Sequence, residues 1–447
     1  MFFEKIGLSV PKILLPKKGA DMEKWAVIAC DQYLTDRGYW KKVESFVGNE
    51  PSTLNMIFAE AFLGSKDIGA ESEKINSTMR EYADSGIFAE FEGFVLVDRT
   101  TSAGKSRKGL VVALDLEQYD YNEGSQKLIR TTEGTFLDKV EPRVKIRENA
   151  LLEVPHILVL IDDPGRTVIE PLFEKGFEKI YDFGLMLGGG HVKGYKVSDK
   201  KTIEETAASL ARLADTIEFN KKYGLQNQKP FLYAMGDGNH SFATAKQVWE
   251  NLKKNAEDKE AIMRHPARFG LVELVNIHDE GLEVEPIHRS ISDADMGDFF
   301  KSMAEFFSAD GSTVSLGDYS GVGEVFEELK KPRQAGVHAI PFVKEGKFGL
   351  LEIQRPKRGI EMESMDAFLD DYIEKNPRAK LSFLHGEKVV TELGSKPGTT
   401  GFYLRGWRKS EIFKKVLSSG IFPRKTFSLG HADDKRFYIE SRKIVWP

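Results

Sequence analysis

The chain has 447 residues, of which 41% are hydrophobic and 30% are charged. This length exceeds the roughly 250 to 300 residues that one hydrophobic core can serve, and the composition is that of a globular protein rather than a disordered one. A net charge of -5 argues against general nucleic-acid binding, which needs an excess of clustered Lys and Arg, so a small-molecule partner is expected.

The cysteine count and the hydropathy pattern narrow the class of protein further. Cys30 is the only cysteine, which excludes an internal disulfide and a metal cluster built from cysteines. No segment approaches the roughly 18 consecutive apolar residues of a membrane span, and the N-terminus lacks the apolar region of a secretion signal. We therefore expect a cytoplasmic protein with no membrane partner.

The N-terminal part of the chain alternates short strands with helices. Apolar periodicity predicts a strand at Trp25–Ala29, helices at Tyr39–Val47, Leu54–Leu63 and Ser72–Ser85, and strands at Phe94–Asp98 and Gly109–Asp115.

The middle of the chain continues the alternation. A β-branched run predicts a buried strand at Ile157–Ile161, followed by a helix at Ile203–Glu218, a strand at Lys229–Ala234, a helix at Phe242–Lys254, and a hairpin of Phe269–Asn276 with Leu282–Pro286.

A second pattern begins beyond Ser290, with helices at Asp293–Phe307 and Tyr319–Lys330 and strands near Gly336–Phe342 and Gly349–Gln354. The whole predicts an α/β (α+β) fold of mixed sheets with flanking helices. We expect three subdomains: residues 1–115, a core of residues 116–290, and residues 291–447.

The sharpest chemical feature is the turn Gly236–Ser241 (GDGNHS), between an apolar strand and an amphipathic helix. A strand that ends at glycines and opens into a helix brings several backbone N–H groups to one point, where the helix dipole also favours an anion. Gly236 and Gly238 permit a left-handed backbone and close approach of a ligand, and Ser241 offers a helix cap or a bond to a phosphate oxygen. The turn therefore predicts a phosphate-binding site.

Asp237 and His240 add chemistry to this turn. A carboxylate beside an anion repels it unless a divalent cation lies between them, so Asp237 predicts Mg²⁺ coordination or an active-site acid. His240 adds a donor that can be charged near neutral pH. The alternative interpretation is a tight strand-to-helix connection, in which Gly supplies the geometry, Asp and Asn bond the local backbone, and Ser caps the helix.

The stretch Tyr233–Lys246 (YAMGDGNHSFATAK) resembles the signature of the bacterial family known as domain of unknown function 1015, whose commoner form reads Asp-Gly-His-His-Arg. Four further stretches stand in the order that this family has, so the resemblance spans most of the chain. They are Arg130–Thr135 (RTTEGT), Pro142–Glu148 (PRVKIRE), Pro286–Arg289 (PIHR) and Pro423–Phe427 (PRKTF).

The Asp-Gly-x-His core of that family is similar to the box of ParB-like and sulfiredoxin-like proteins, among which are nucleotide-dependent kinases that act on free serine. The resemblance implies a ParB/sulfiredoxin-like core with added subdomains. It also implies catalytic roles for Asp237 and His240, with Glu133 as the upstream base. The box residues that would contact nucleotide phosphates are Gly236, Gly238, Asn239 and Ser241.

Two positions depart from the family pattern. Ser241 replaces the usual arginine, which removes a bidentate phosphate donor, and Thr132 stands where a histidine often precedes the glutamate. These departures bear on nucleotide specificity and on turnover.

Basic residues elsewhere are further candidates. Arg143, Lys145 and Arg147 alternate on a strand-like stretch, so they would share one face, either to neutralise phosphate or to pair with neighbouring acids. The pair His288–Arg289 follows Pro286 at a strand end, and Lys425 lies between two polar residues. We expect these three to contact the substrate.

The leading functional hypothesis is Mg²⁺-dependent phosphoryl transfer from ATP or ADP to the hydroxyl of a small metabolite, with free L-serine as the first substrate to test. Two alternatives remain open: a nucleotide-binding regulator without catalysis, and a metabolite-binding protein that takes no nucleotide.

Overall fold

A computed structural model describes residues 1–135 and 137–446, with the backbone alone at residues 137–139. The chain divides into two units: unit 1 is Met1–Glu283 together with the C-terminal segment that begins at Leu429, and unit 2 is Val284–Ser428. This division differs from the three predicted subdomains, because strands from the first two of them share one sheet.

The strands are β1 Phe2–Phe3, β2 Leu8–Ser9, β3 Lys12–Pro16, β4 Val27–Ile28, β5 Phe88–Glu92, β6 Phe94–Thr100, β7 Ser106–Asp115, β8 Tyr119–Asp120, β9 Ile129–Arg130, β10 Leu152–Glu153, β11 Leu158–Ile161, β12 Glu178–Gly184, β13 His191–Val197, β14 Tyr233–Asp237, β15 Phe269–Asn276, β16 Val284–Ser292, β17 Thr313–Tyr319, β18 His338–Lys344, β19 Lys347–Gln354, β20 Lys380–His385, β21 Thr400–Phe402, β22 Phe427–Leu429, β23 Phe437–Tyr438 and β24 Arg442–Lys443.

The helices are α1 Met22–Trp25, α2 Arg37–Val47, α3 Ile68–Asp84, α4 Leu137–Arg147, α5 Lys200–Leu213, α6 Thr216–Tyr223, α7 Asn239–Asn255, α8 Met296–Ala309, α9 Val322–Leu329, α10 Glu361–Lys375, α11 Glu387–Gly394 and α12 Lys409–Ser419.

The large sheet of unit 1 has the strand order β12-β13-β6-β7-β15-β11-β14-β9-β8, and β2 joins β1 to it through β7. The sheet is mixed: β15 and β11 are parallel, β14 and β9 are parallel, and β11 runs antiparallel to β14. Its central strands are buried on both faces, which fits their continuous Val, Ile and Leu runs. The predicted α/β class with mixed sheets and flanking helices is confirmed.

Unit 2 has its own sheet, ordered β17-β19-β18-β21-β16-β20, with β22 beside β16. An aromatic core that includes Phe299, Phe307, Phe368 and Phe402 packs beneath it. The predicted hairpin of β15 with β16 is wrong. β15 pairs with β7 and β11, whereas β16 pairs with β20 and β21, so the turn between them joins two separate sheets.

Two other local predictions need correction. The predicted helix at Leu54–Leu63 is a pair of short 3₁₀ turns, Thr53–Met56 and Glu60–Phe62. The predicted helix at Ile203–Glu218 breaks into α5 and α6, because the Asp215 side chain caps a new helix by accepting from the N–H groups of residues 217 and 218. Among the described residues, the helices are all too short or too polar to cross a membrane.

Candidate functional site

Two parallel strands bring Glu133 beside the Gly-Asp-Gly turn. β9 pairs with β14, and Glu133 follows the first strand as the turn follows the second. The carboxyl ends of parallel neighbours meet at one edge of a sheet, so both segments emerge together. The Thr132 hydroxyl donates to the Met235 carbonyl oxygen over 2.8 Å and fixes the first segment against the second.

The glycines of the turn are required by packing within the fold. Gly238 caps the start of α7 in the left-handed region, at φ 77°, and a Cβ there would lie 3.0 Å from the Ile157 side chain. Gly236 is not left-handed, and its Cβ would lie 2.7 Å from Leu429 and 2.9 Å from Leu160. Gly236 therefore does not use the left-handed conformation that a glycine permits. A glycine is needed there because the side chains of Leu429 and Leu160 fill the space that a Cβ would occupy.

Asp237 uses both carboxylate oxygens inside the protein. Its Oδ1 accepts from the Gly238 N–H over 2.9 Å, and its Oδ2 lies 3.1 Å from the Nζ of Lys435. The Lys435 side chain is only 8% exposed, so its charge acts in a poorly screened environment. A bound cation near Asp237 therefore has to share that carboxylate with Lys435.

Asn239 is the first residue of α7, and its amide contacts Glu133. The Asn239 Nδ2 donates to the Glu133 Oε1 over 3.1 Å, while Asn239 as a whole is 5% exposed. Within residues 1–135 and 137–446, no donor reaches the buried Oδ1 of Asn239. A buried acceptor without a donor costs about 1 to 3 kcal/mol, so this atom points to a ligand or an ordered water.

Ser241 contacts a buried histidine. Its Oγ lies 3.3 Å from the Nε2 of His156, whose Nδ1 lies 2.8 Å from the Tyr438 hydroxyl. Ser241 does not cap α7, because Gly238 occupies the cap position and Ser241 is the third helical residue. His240, the second residue of α7, is partly exposed, and its carbonyl accepts from the Thr244 hydroxyl.

The imidazole of His156 stays neutral near neutral pH. Burial lowers its pKa and outweighs the opposite effects of Asp31, 3.8 Å away, and of Asp237. Burial also disfavours the charged form of Asp31. The pKa of that carboxyl is nevertheless held below its ordinary value by the charge that His156 carries once it is protonated in acid, by a hydrogen bond from Gln32, and by the cations Lys435 and Arg143. Burial, followed by Glu60 and Asp31, raises the pKa of the Cys30 thiol, which disfavours the thiolate form that a nucleophile needs.

We call these residues the edge cluster: Asp31, Glu133, His156, Asp237, Asn239, Ser241, Lys435 and Tyr438. They are joined by the contacts above, by their sequence neighbourhood in the turn, and by the electrostatic effects of Asp237 on His156 and of Lys435 on Asp31. Sequence analysis missed four of them, Asp31, His156, Lys435 and Tyr438. Strand pairing explains why these four residues lie at the site. β11 starts beside the end of β14, which places His156 next to the turn. β23 pairs with β4, which places Lys435 and Tyr438 near Asp31. Polar residues directly next to short apolar strands were the available signal.

The three basic residues predicted to share a strand face lie instead on α4. On a helix Arg143 and Arg147 are one turn apart and Lys145 points elsewhere. Arg143 pairs with Glu60 and acts electrostatically on Asp31 and His156, so it lies near the edge cluster. Arg147 pairs with Glu153, and Lys145 is exposed. The structure thus brings only Arg143 to the candidate site.

The predicted substrate residues of unit 2 have local partners. Arg289 is fully buried, and all five of its N–H donors are used, by the Asp366 carboxylate and three backbone carbonyls. His288 accepts from the Leu404 N–H over 3.0 Å, and Lys425 lies over the Phe383 ring. Arg289 therefore has no donor left for a substrate, and its predicted role in substrate binding is wrong.

The sequence matches the model of the family described as protein of unknown function (DUF1015) over residues 14–373. The chain belongs to this family. The resemblance of Tyr233–Lys246 to the signature of this family is thereby confirmed. The sequence matches no curated protein.

Three solved structures that the chain matches are distant in sequence. A mutant of free serine kinase in complex with ADP is 11% identical, with a TM-score of 0.40, and the match covers 75% of this chain and 92% of the other. A conserved hypothetical protein from Pyrococcus furiosus is 13% identical, with a TM-score of 0.37, covering 75% and 95%. C-terminally truncated SbnI from Staphylococcus aureus is 8% identical, with a TM-score of 0.33, covering 72% and 82%.

Proposed function

We propose that this DUF1015 protein binds Mg²⁺ with ATP or ADP at the start of α7 and transfers a phosphoryl group to the hydroxyl of a small metabolite, L-serine being the first to test. The observation that carries the proposal is the 3.1 Å contact between Glu133 and Asn239, the first residue of α7. It sets a carboxylate base beside the helix end where phosphate is most favoured.

The start of α7 suits nucleotide phosphates. Gly238 has no side chain with which to cap the helix, so an anion can accept hydrogen bonds from the N–H groups of the first turn. The helix dipole adds positive potential at the same place. Lys435 supplies a formal positive charge next to Asp237. Donors and charge at this point stabilise the transferred group, which is the main protein contribution to phosphoryl transfer.

The edge cluster offers carboxylate oxygens to a hard divalent cation. Three carboxylates, those of Asp31, Glu133 and Asp237, stand against the single ammonium of Lys435, and carboxylate oxygens are the ligands that Mg²⁺ prefers. This excess of negative charge would repel a nucleotide that arrived without a cation. Asp237 would hold Mg²⁺, which when bound neutralises nucleotide charge.

The proposed reaction moves one proton, forms one bond to phosphorus and breaks another. The acceptor hydroxyl oxygen attacks the terminal phosphorus while Glu133 takes the hydroxyl proton. The new O–P bond forms as the bond from phosphorus to the nucleotide oxygen breaks, and the departing nucleotide keeps the electron pair. Asn239 holds the Glu133 carboxylate in place through its Nδ2.

A nucleotide-binding regulator is the second candidate, and one observation favours it. Asp237 and Ser241 are both engaged inside the protein, Asp237 with Lys435 and Ser241 with His156. Side chains that are already held by internal partners are less available for the reaction itself, which favours nucleotide binding without turnover.

A thermal-shift and calorimetry screen with ATP, ADP and AMP, each with Mg²⁺ and with chelator, tests the proposal together with ³¹P NMR in the presence of L-serine and other small alcohols. If the protein is a kinase, Mg²⁺–nucleotide raises its melting temperature and a phosphomonoester forms. A regulator binds without forming the ester. Absence of nucleotide binding overturns both and leaves the metabolite-binding alternative.

Asp237→Asn tests the metal. The substitution removes the charge that holds the cation and turns an amide N–H₂ toward the Lys435 ammonium. We expect about tenfold weaker binding of Mg²⁺–ATP, equivalent to ~1.4 kcal/mol, and little change with chelator. Calorimetry of the variant, with the exposed Asp84→Asn as its control, gives the comparison. Unchanged or tighter binding in Mg²⁺ removes the metal from the proposal.

A further inference from the structure

The orientation of the Asn239 amide is fixed by its neighbour. Glu133 is an acceptor, so the Asn239 Nδ2 must face it at 3.1 Å, since the reversed amide would set two acceptors against each other. The Oδ1 is therefore on the other branch of the same planar group. It is buried, in a residue that is 5% exposed, and within the described ranges it has no donor.

The position of this oxygen next to Glu133 limits what can satisfy it. An amide carries its N and O on one carbon, so a donor that reaches Oδ1 lies beside the carboxylate that Nδ2 contacts. When a ligand sets its reacting hydroxyl on Glu133, the substituent on the adjacent carbon falls at Asn239. That substituent has to be a hydrogen-bond donor, because an apolar group would leave the buried Oδ1 unsatisfied.

We infer that Asn239 is the residue that selects the alcohol to which the phosphoryl group is transferred. It favours alcohols that carry an amine or a second hydroxyl on the carbon next to the one that is phosphorylated. The inference rests on the proposed function for the identity of the reaction, but not for the binding preference. A buried polar group that is left unpaired by an analogue rejects that analogue strongly, whereas an apolar pocket discriminates weakly.

Matched pairs of alcohols test this selection: L-serine with 3-hydroxypropionate, and ethanolamine with ethanol. Calorimetry with Mg²⁺ and a non-hydrolysable ATP analogue measures the binding ratio within each pair, and ³¹P NMR measures turnover separately. For the native protein we expect the donor-bearing member of each pair to bind at least tenfold more tightly.

Two variants of Asn239 separate the role of its amide oxygen from that of its amide nitrogen. Asn239→Leu has a similar size and lacks the acceptor, so the ratio should fall to near one. Asn239→Asp keeps the acceptor but loses the donor to Glu133, so the ratio should persist while turnover falls. The nucleotide-induced thermal shift reports whether each variant keeps its fold.

If the binding ratio within each pair of alcohols is the same in the native protein and in Asn239→Leu, the inference is overturned, even if turnover is found. An ordered water is then assigned to Oδ1. Failure of the native protein to bind any of the four alcohols also overturns it. If the binding ratio depends on Asn239 but no phosphate ester forms, the inference is supported and the kinase proposal is overturned instead.

Discussion

The edge cluster of unit 1 and the Arg289 cluster of unit 2, which comprises His288, Arg289 and Asp366, are both groups of polar and charged residues, fully buried around Arg289 and partly buried in the edge cluster. They differ in how their donors and acceptors are used. Every N–H of Arg289 has a partner in its own unit. In the edge cluster, the Asn239 Oδ1 has no donor in the described chain.

This difference separates a structural polar cluster from a candidate site. Closed networks stabilise one conformation and offer nothing to a ligand, whereas an unmatched acceptor is tolerated where a ligand completes the set. The excess of carboxylates over ammonium in the edge cluster points the same way, since Arg289 and Asp366 balance each other's charge. Substitutions in the two clusters should therefore affect different measurements.

The largest effect is expected at Glu133. Glu133→Gln preserves an acceptor for the Asn239 Nδ2 but cannot take a proton, so kcat should fall about 10²- to 10⁴-fold. The Kd for Mg²⁺–ATP should stay within about twofold. Turnover by ³¹P NMR and affinity by calorimetry give the two values, with the exposed Glu123→Gln as the matched control. Full activity in Glu133→Gln would assign the base elsewhere.

Arg289→Met should instead act on stability. It leaves the Asp366 carboxylate and three carbonyls without their donor, a loss of about 3 to 5 kcal/mol for a broken buried pair. Hydrogen exchange of β16 peptides should rise accordingly. The exposed Arg378→Met is the control and should leave exchange unchanged. A well-protected Arg289→Met variant would contradict the structural role.

The sequence predicts the parts of the fold that have strong periodicity. β15 is predicted to the residue, and β6, β7, β11 and α7 are predicted within a few positions. Prediction fails where local pattern is ambiguous. The alternation of Arg143, Lys145 and Arg147 resembles a strand, but α4 packs against α3 and α7, and tertiary packing overrides the pattern.

The candidate site was predictable only where residues are adjacent in sequence or belong to the family motif. Asp237 and Asn239 share one turn, and Glu133 came from the resemblance. His156 and Lys435 reach the same edge through strand pairing between segments far apart in sequence. Such pairing depends on sheet order, which a single sequence does not encode locally.

A pH effect should act on the Arg289 cluster through His288. Burial, with Arg289 and His385, lowers the pKa of His288 to about 4. The unfolded chain, with a pKa near 6.5, binds the proton first, so the contribution of neutral His288 is complete above pH ~6.5 and is lost as pH falls toward ~4. The loss approaches ~3 kcal/mol.

Exchange of β16 peptides at pH 7 and pH 4.5 measures this loss. His288→Gln should flatten the pH dependence in unit 2, since the replacement cannot titrate. The same steep dependence in the variant would assign the effect to other groups.

The smallest effect concerns Ser241 and His156. The Cys30 N–H donates to the Tyr438 oxygen over 3.1 Å, so the Tyr438 hydroxyl is oriented to donate to the His156 Nδ1 at 2.8 Å. The proton of neutral His156 then lies on Nε2, facing Asp31 and the Ser241 Oγ. Ser241 accepts there and directs its own proton to another acceptor.

We expect that acceptor to be a nucleotide phosphate, with the serine hydroxyl acting where the commoner family box has arginine. Ser241→Ala should weaken Mg²⁺–ATP binding about three- to tenfold, within the range of one hydrogen bond. His156→Gln should weaken it similarly in the native background but not in Ser241→Ala, because it acts through the serine. Calorimetry of the two single variants and the double variant completes the cycle. Additive losses would mean that Ser241 and His156 act independently, so that His156 supports the fold without orienting Ser241, whereas no loss in Ser241→Ala would make the Ser241 end of the edge cluster as closed as the Arg289 cluster.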